Sequence, residues 1–198
     1  MTKYNPDIHH RRSVRFKGYD YSQCGLYFIT ICVQNRECLF GEILIDNLDA
    51  GNLDAINRAP TMTAIAQTVE KIWDILPTQF PNVITHEFIV MPNHIHGILE
   101  IHGRGDDLSR PNNDDEKKGG FAGEKNPMFH ENLSRIVRWF KGRTTFECRK
   151  INPYFAWQRN YHEHIIRNEQ SYQTISEYIV NNPTKWANYR INLNKINS

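Results

Sequence analysis

Two runs rich in β-branched residues, 83–91 and 94–102, are separated only by Pro92-Asn93. Strand-forming runs joined by such a short turn sequence are typical of a β-hairpin. The second run begins His94-Ile95-His96. Because side chains at positions i and i+2 of a strand leave the same face, both imidazoles project from one side while Ile95 points into the core. The sequence therefore predicts a hairpin that presents a histidine pair.

The histidine pair has two interpretations when its residues are considered alone. Two imidazoles on one strand face can bind one metal ion. Half-exposed strands also alternate polar and apolar residues, and histidine is an ordinary choice for the polar position. Glu100 and His102 share this face, but at the rise of a strand they would lie about 13 Å and 20 Å from His96. They are therefore poor candidates for further metal ligands.

Strands and helices are predicted on both sides of the hairpin. Residues 26–34 form an apolar, β-branched run typical of a buried strand. Apolar residues recur at helical spacing from Thr61 to about Leu76, and Pro77 is expected to end that helix. A second amphipathic helix is predicted from the spacing of the apolar residues Leu133, Ile136, Val137, Phe140 and Phe146.

The C-terminal part of the chain is predicted to add a strand and a last helix. A β-like run lies near residues 154–166. Asn168 is a favourable N-cap for the last helix, which is expected to end at Asn182 because Pro183 follows. The order strand, helix, hairpin, helix, strand, helix is that of an α+β, ferredoxin-like split βαβ sandwich. Its sheet is antiparallel, and it carries an additional C-terminal helix.

The length of 198 residues fits one domain, residues 1–198, with a full hydrophobic core. Residues of about 103–129 are dominated by Gly, Asp, Asn, Lys and Glu, with few large apolar side chains. Such a segment cannot bury enough surface to offset its ordering entropy. We therefore expect a flexible polar insertion there. Many unrelated functions use this architecture, so the fold class alone does not assign one.

The basic residues are clustered although the formal net charge is only +2. A single basic cluster is usually a solvated surface, whereas two clusters favour a polyanionic partner such as nucleic acid. Candidates to contact a DNA backbone are found at the N-terminus and on the second predicted helix: Arg12, Arg15, Lys17, Arg138, Lys141 and Arg143.

The cellular compartment is predicted from cysteine usage and hydropathy. The four cysteines show no C-x-x-C spacing, and the chain begins without the apolar run of a signal peptide. We therefore expect a reduced, cytoplasmic location. The sequence also lacks a stretch approaching the ~20 apolar residues of a membrane helix, so membrane insertion is not expected.

The last predicted helix carries a tyrosine that could take part in chemistry. Tyr178 falls at the edge of the apolar stripe, and Asn182 lies one turn later on the same side. A hydroxyl and an amide oxygen could then face one metal ion beside the histidine strand. The same residues are also compatible with a core tyrosine and an asparagine that ends the helix. By residue type, Tyr161 and Tyr172 are alternative nucleophiles.

Three segments resemble the successive signatures of one family, the REP-associated tyrosine transposases, a branch of the HUH single-tyrosine nucleases. They are MPNHIHGI at residues 91–98, WQRNYHEHIIR at 157–167 and EYIVNNP at 177–183. The segments RFKGYDY at 15–21 and LFG at 39–41 are also similar to that family. The resemblance covers nearly the whole chain apart from the polar insertion.

The resemblance implies roles for particular residues. His94 and His96 match the ligands of a divalent metal, Tyr178 matches the nucleophile, and Asn182 matches a third ligand. Two imidazoles and an amide suit several divalent ions, of which cellular supply favours Mg²⁺ or Mn²⁺. The family gives the second histidine pair, His162 and His164, no metal-binding role.

The implied activity is cleavage and rejoining of single-stranded DNA with hairpin or palindromic ends through a 5′-phosphotyrosine intermediate. The resemblance leaves a monomer and a homodimer both open. One alternative is a non-catalytic nucleic-acid-binding module that recognises DNA hairpins. A zinc phosphoesterase or deaminase is disfavoured because the H-x-E and P-C-x-x-C signatures are absent from the sequence.

Overall fold

The structure, a computed structural model, describes residues 24–43, 61–102 and 132–186. The predicted insertion at 103–129 and the basic residues Arg12, Arg15 and Lys17 lie outside the described residues. The strands are β1 (Gly25–Cys32), β2 (Gly41–Glu42), β3 (Thr61–Met62), β4 (Val83–Met91), β5 (His94–Ile101) and β6 (His162–Ile166). The helices are α1 (Ala64–Asp74), α2 (Leu76–Gln79), α3 (Leu133–Cys148) and α4 (Glu169–Val180).

The main sheet has four strands in the order β4-β5-β1-β6, and every neighbouring pair is antiparallel. β4 and β5 form the predicted hairpin, with Pro92 and Asn93 between them. Along the chain, α1 lies between β1 and the β4–β5 hairpin, and α3 lies between the hairpin and the edge strand β6. This order is the ferredoxin-like arrangement, so the predicted fold class is confirmed.

The two faces of the sheet pack against different helices. On one face the buried residues of β1 and β5, such as Ile29 and Leu99, join the apolar sides of α1 and α3 in the main core. On the opposite face, Ile98 and Ile166 pack against Ile179 of α4 in a smaller cluster. Because alternate strand residues leave opposite faces, the histidines of β5 lie on the α4 face.

The N-termini of the long helices are capped by side chains. The oxygen of Thr63 accepts a hydrogen bond from the backbone of Ala66 at the start of α1. Asn132 and the predicted cap Asn168 act in the same way for α3 and α4. Thr61 lies in β3, so α1 begins later than the apolar spacing indicated. Pro77 does not end a helix, because it lies in the first turn of α2, where a missing N–H is tolerated.

The C-terminus of α4 differs from the sequence-based expectation. α4 ends at Val180, Asn181 is its C-cap, and residues 182–186 are helical again. The expected helix end at Asn182 was therefore wrong. Pro183 is accommodated because it falls in the first turn of the second helical segment, where its nitrogen would have had no helical acceptor.

Phe146 is also placed differently from the prediction. We expected it on the buried side of α3, but its side chain is 60% exposed. The buried side continues from Phe140 through Thr144 and Cys148, at positions i+4 and i+8. Phe146 lies six residues after Phe140, about 240° around the helix, so it points away from the core.

Within the described residues, no helix has both the length and the apolar character that would let it cross a membrane.

Candidate active site

His94 and His96 are buried at the start of β5 and converge through their rings. Their Nε2 atoms lie 3.0 Å apart. The Nδ1 atom of His94 donates to Oδ1 of Asn93 at 2.7 Å, and the Asn93 amide is oriented by its Nδ2, which donates to the carbonyl of Arg36. Nδ1 of His96 lies 2.8 Å from Oγ1 of Thr30, its register partner on β1. The strands and the turn therefore fix both rings.

Burial keeps the two imidazoles neutral at physiological pH. Desolvation lowers the pKa of His94 to about 4, and the positive charge of Arg36 contributes in the same direction. Desolvation also lowers the pKa of His96 to about 3, with a smaller contribution from His94. The neutral imidazole is the form that binds metal ions.

The arrangement of donors and acceptors fits a divalent cation. The amide oxygen of Asn93 can only accept, so Nδ1 of His94 donates and its Nε2 carries a lone pair. In the tautomer of His96 whose Nδ1 donates to Thr30, the Nε2 lone pair of His96 is directed at the same space. Two nitrogen ligands at ~2.1 Å from one ion in perpendicular positions would be ~3.0 Å apart, and the observed separation is 3.0 Å. Hydrogen bonds from the other ring nitrogen to a carbonyl or hydroxyl oxygen are the usual support of a metal-binding histidine.

An acidic side chain that could complete a metal site with the histidine pair is not found among the described residues. Among the described residues, no group of three or more His, Cys, Asp or Glu side chains could hold a metal ion. Asn182 is 7% exposed and opens the helical segment 182–186 immediately after α4. An amide oxygen is a suitable ligand for Mg²⁺ or Mn²⁺, so Asn182 stays the candidate that the sequence indicated.

α4 positions Tyr178 beside the histidine pair. The apolar side of the helix packs on the sheet through Ile175 and Ile179. The hydroxyl of Tyr178 lies 3.4 Å from Nε2 of His96, and its ring packs edge-on against Phe28. The residue is 38% exposed. The hydroxyl therefore reaches the histidines, and part of the side chain is open to an incoming substrate.

Two residues that the sequence did not indicate lie against the same centre. Nζ of Lys185 is 5.2 Å from the centroid of the Tyr178 ring. The Trp186 ring lies 5.7 Å from that of His94, and its buried indole N–H has no acceptor among the described residues. Both follow Pro183, where the sequence had predicted the end of the helix. Proline is tolerated in the first turn of a helix. A prediction that continued the helix past Pro183 would have included both residues.

The alternative tyrosines are held elsewhere. The hydroxyl of Tyr172 donates to the carboxylate of Glu87 at 3.0 Å, and burial together with this carboxylate raises the pKa of Tyr172. Tyr161 packs against the main core on the opposite face of the sheet. Of the three candidate tyrosines, Tyr178 is the one that contacts the histidine pair.

The second histidine pair lies at the edge of the sheet. His162 and His164 are exposed on β6 and pair in register with Thr30 and Phe28 of β1. They therefore project from the same face as His94 and His96, but β1 lies between the two histidine pairs. Glu100, on the same strand as the first pair, is hydrogen bonded to His86 at 2.8 Å.

The candidate DNA-binding residues of α3 lie on a helix that packs on the face opposite the histidines. Arg138 and Arg143 are exposed, and Arg143 pairs with Glu147 at 2.9 Å. Nζ of Lys141 donates to the carbonyls of Gln158 and Arg159 at 2.6 Å and 3.1 Å. Burial lowers the pKa of Lys141. Because its ammonium group is engaged by these two carbonyls, Lys141 mainly holds the 158–159 loop in place.

Comparison with solved structures defines the class of fold. The chain superposes on the structure of a REP-associated tyrosine transposase bound to a REP hairpin with a TM-score of 0.50 and 20% sequence identity. The superposition covers 93% of this chain and 74% of that chain. At this identity the likeness shows a shared fold, and it confirms at that level the resemblance inferred from the sequence motifs.

Sequence comparison places the chain in a family. It is 42% identical over 186 residues to an uncharacterized protein of Haemophilus influenzae (strain Rd), covering 93% of this chain and 94% of the relative. The chain belongs to the same family as that protein. No family model matches the sequence.

Proposed function

We propose that this protein is a metal-dependent DNA transposase and endonuclease that cleaves and rejoins single-stranded DNA with hairpin ends, using Tyr178 as its nucleophile. The observation that carries the proposal is the 3.4 Å distance between the Tyr178 hydroxyl and Nε2 of His96. That nitrogen itself faces His94. The proposal is supported by a partly exposed tyrosine hydroxyl beside two neutral imidazoles, on a fold shared with a REP-associated tyrosine transposase.

The chemistry exchanges one phosphodiester for another. The oxygen of Tyr178 attacks the phosphorus of the DNA strand, so that the O–P bond forms while the bond from phosphorus to the 3′-oxygen breaks. The phenol proton leaves to solvent on the exposed side of the ring, and the 3′-oxygen takes a proton from water. Attack by another 3′-hydroxyl on the phosphotyrosine reverses these steps and releases Tyr178. No bond energy is lost to hydrolysis.

The residues around Tyr178 have complementary roles in this step. A divalent ion held by His94, His96 and Asn182 would neutralise a non-bridging oxygen of the phosphate and orient it for in-line attack. The ammonium group of Lys185, 5.2 Å from the centroid of the tyrosine ring, would attract the substrate phosphate to Tyr178.

The proposed partner is single-stranded DNA with hairpin or palindromic ends. The structural neighbour is bound to a REP hairpin, which supports this choice of DNA. The proposed backbone contacts are cations of the N-terminal segment and of α3: Arg12, Arg15, Lys17, Arg138, Lys141 and Arg143. Because Lys141 is largely engaged with the 158–159 loop, we assign it the smallest share of the direct contact.

The experiment that tests the proposal uses labelled single-stranded hairpin DNA taken from the sequence flanking the gene. The wild-type protein is incubated with this DNA in Mn²⁺, and the products are resolved on a denaturing gel. We expect a covalent protein–DNA band that is lost in EDTA and in Tyr178→Phe. Tyr172→Phe is the matched control, since that tyrosine lies on the same helix but away from the histidines. Binding without any covalent band would instead support the non-catalytic hairpin-binding module.

A further inference from the structure

A groove lies between the C-terminal half of α3 and residues 156–159. It is an open groove with a volume of about 740 Å³, and we call it the α3 groove. This volume is within the range of ~300–1,000 Å³ typical of sites for small organic groups. The lining side chains that matter below are Lys141, Phe146, Arg149, Lys150, Trp157 and Arg159. The groove is separate from the Tyr178 centre, because α3 packs on the opposite face of the sheet.

The groove has an exposed aromatic ring at its wall. Phe146 is 60% exposed, which is unusual for a phenylalanine on an amphipathic helix. Nζ of Lys150 lies 4.7 Å from the centroid of its ring, and the guanidinium of Arg143 lies 6.0 Å from it. An exposed ring surrounded by cations is the arrangement with which proteins stack an unpaired base and neutralise its phosphate.

The charge of the groove has one sign. Four of its lining residues are cationic and none is acidic. Glu147, which lies beside the groove, pairs with both cations at the Phe146 ring, Lys150 and Arg143. Arg149 donates from Nε to the carbonyl of Phe155 at 3.0 Å. Within the part of the chain that the structure describes, the Arg159 side chain has no hydrogen bond or ion pair. The groove therefore offers a fixed framework and at least one uncommitted guanidinium to an anion.

The position of the groove connects it to the histidine strand. Its wall residue Gln158 donates its backbone N–H to the carbonyl of Cys32 at 2.8 Å. Cys32 is in turn the register partner of His94. The groove thus begins at the end of the sheet where the histidine pair lies, on the other side of β1.

We propose that the α3 groove binds a single-stranded DNA segment, with one base stacked on Phe146 and the adjoining phosphates held by Arg159 and Lys150. The proposal rests on the proposed function, whose substrate supplies the single-stranded DNA. The binding itself requires neither the metal nor Tyr178.

The test measures binding without catalysis. The probe is a fluorescein-labelled strand of roughly 12 thymidines, a length within the usual site size for such proteins, and the readout is fluorescence anisotropy in EDTA. Since base stacking on an aromatic ring contributes ~1–3 kcal/mol, Phe146→Ala should weaken binding about 5-fold to 150-fold. Phe146→Tyr should bind like wild type. Because Phe146 is exposed, both variants are expected to fold, which circular dichroism verifies.

The charge contribution is tested through salt dependence. Loss of one phosphate contact on a single strand reduces the slope of log K against log salt by ~0.7. Arg159→Gln should show this change, whereas Lys71→Gln, an exposed lysine of α1, should keep the wild-type slope. Unchanged affinity in Phe146→Ala, an unchanged slope in Arg159→Gln, or tighter binding of the corresponding uridine RNA would overturn the proposal. These results are independent of the covalent band, which alone decides the proposed function.

Discussion

The hydroxyl of Tyr178 lies 3.4 Å from Nε2 of His96, although the two residues are 82 positions apart in the chain. The contact joins α4 to the second strand of the hairpin, and it places a phenol against a neutral imidazole whose pKa burial lowers to about 3. Because that imidazole cannot easily take a proton, it is better suited to hold a cation beside the phenol than to act as a base.

Metal affinity should depend on Thr30, which supports His96 without being a ligand. Thr30→Val removes the 2.8 Å hydrogen bond to Nδ1 of His96. Loss of such a supporting hydrogen bond typically costs ~10–100-fold in metal affinity. Titration calorimetry with Mn²⁺ measures the effect. Thr68→Val, on the exposed side of α1, is the control and should bind Mn²⁺ like wild type. Equal affinities for all three proteins would remove His96 from the metal site.

Stability should fall in mild acid because the histidine pair is buried in its neutral form. Folding lowers the pKa of His94 to about 4 and that of His96 to about 3. The unfolded histidines have a pKa of ~6.5. At pH values between this pKa and the lowered values, the unfolded chain binds more protons than the folded chain, so stability decreases as pH falls. We expect a loss of roughly 2–4 kcal/mol between pH 7 and pH 5 from these two groups.

Guanidinium unfolding in EDTA at the two pH values measures this loss. His96→Gln removes one of the two groups and should roughly halve the pH-dependent loss. An identical loss in the wild type and in His96→Gln would show that the pKa of His96 is not lowered by folding.

Lys185 should help to hold the substrate phosphate beside Tyr178. Lys185→Met removes the positive charge 5.2 Å from the centroid of the tyrosine ring. Since Lys185 is exposed and its field is screened, we expect adduct formation to slow by about threefold to tenfold. A time course of the covalent band on a denaturing gel measures the rate. Lys185→Arg keeps the charge and should retain the wild-type rate, while equal rates for all three proteins would contradict this role.

The close contact between the sheet and α1 should make Gly97 intolerant of a side chain. A Cβ atom at Gly97 would overlap the ring of Trp73, which is stacked on Phe88 with ring centroids 4.3 Å apart. Overpacking of this kind costs ~1–3 kcal/mol, so Gly97→Ala should lower the free energy of unfolding by about that amount. Chemical denaturation provides the measurement.

The matched control for Gly97→Ala is Gly142→Ala on α3. A Cβ at Gly142 meets no atom within 4 Å, and alanine is the better helix former by ~0.5–1 kcal/mol. Gly142→Ala should therefore stabilise the protein. Destabilisation by both substitutions to a similar extent would show that the Trp73 contact is not the cause.

Local signals were sufficient to predict the hairpin, the order of the elements and the common face of His94 and His96. Each of these depends on residue spacing within one segment or on a turn sequence. Thr30 could not be assigned a role in the same way, because its contact with His96 depends on the register between two strands far apart in the chain. Lys185 and Trp186 were missed because Pro183 was expected to stop the helix at Asn182, whereas it lies in the first turn of a further helical segment.

The expectation for Phe146 failed for a different reason. An apolar residue six positions after Phe140 was included in the buried side, although helical geometry places it about 240° away. Thr144 was available for that side because its hydroxyl is satisfied by the carbonyl of Phe140 and by the indole of Trp157. A small polar residue thus fills the core position, and the large apolar one is exposed.

The covalent link to Tyr178 is the most direct test of the account. Wild-type protein is allowed to react with hairpin DNA in Mn²⁺, digested with trypsin and nuclease, and analysed by tandem mass spectrometry. The tryptic peptide 168–185 contains both Tyr172 and Tyr178, so the fragment ions must locate the modification within it. We expect a nucleotide attached through its 5′-phosphate to Tyr178, and the same modification in Tyr172→Phe. A nucleotide attached to Tyr161 or Tyr172, or a covalent adduct that persists in Tyr178→Phe, would contradict it.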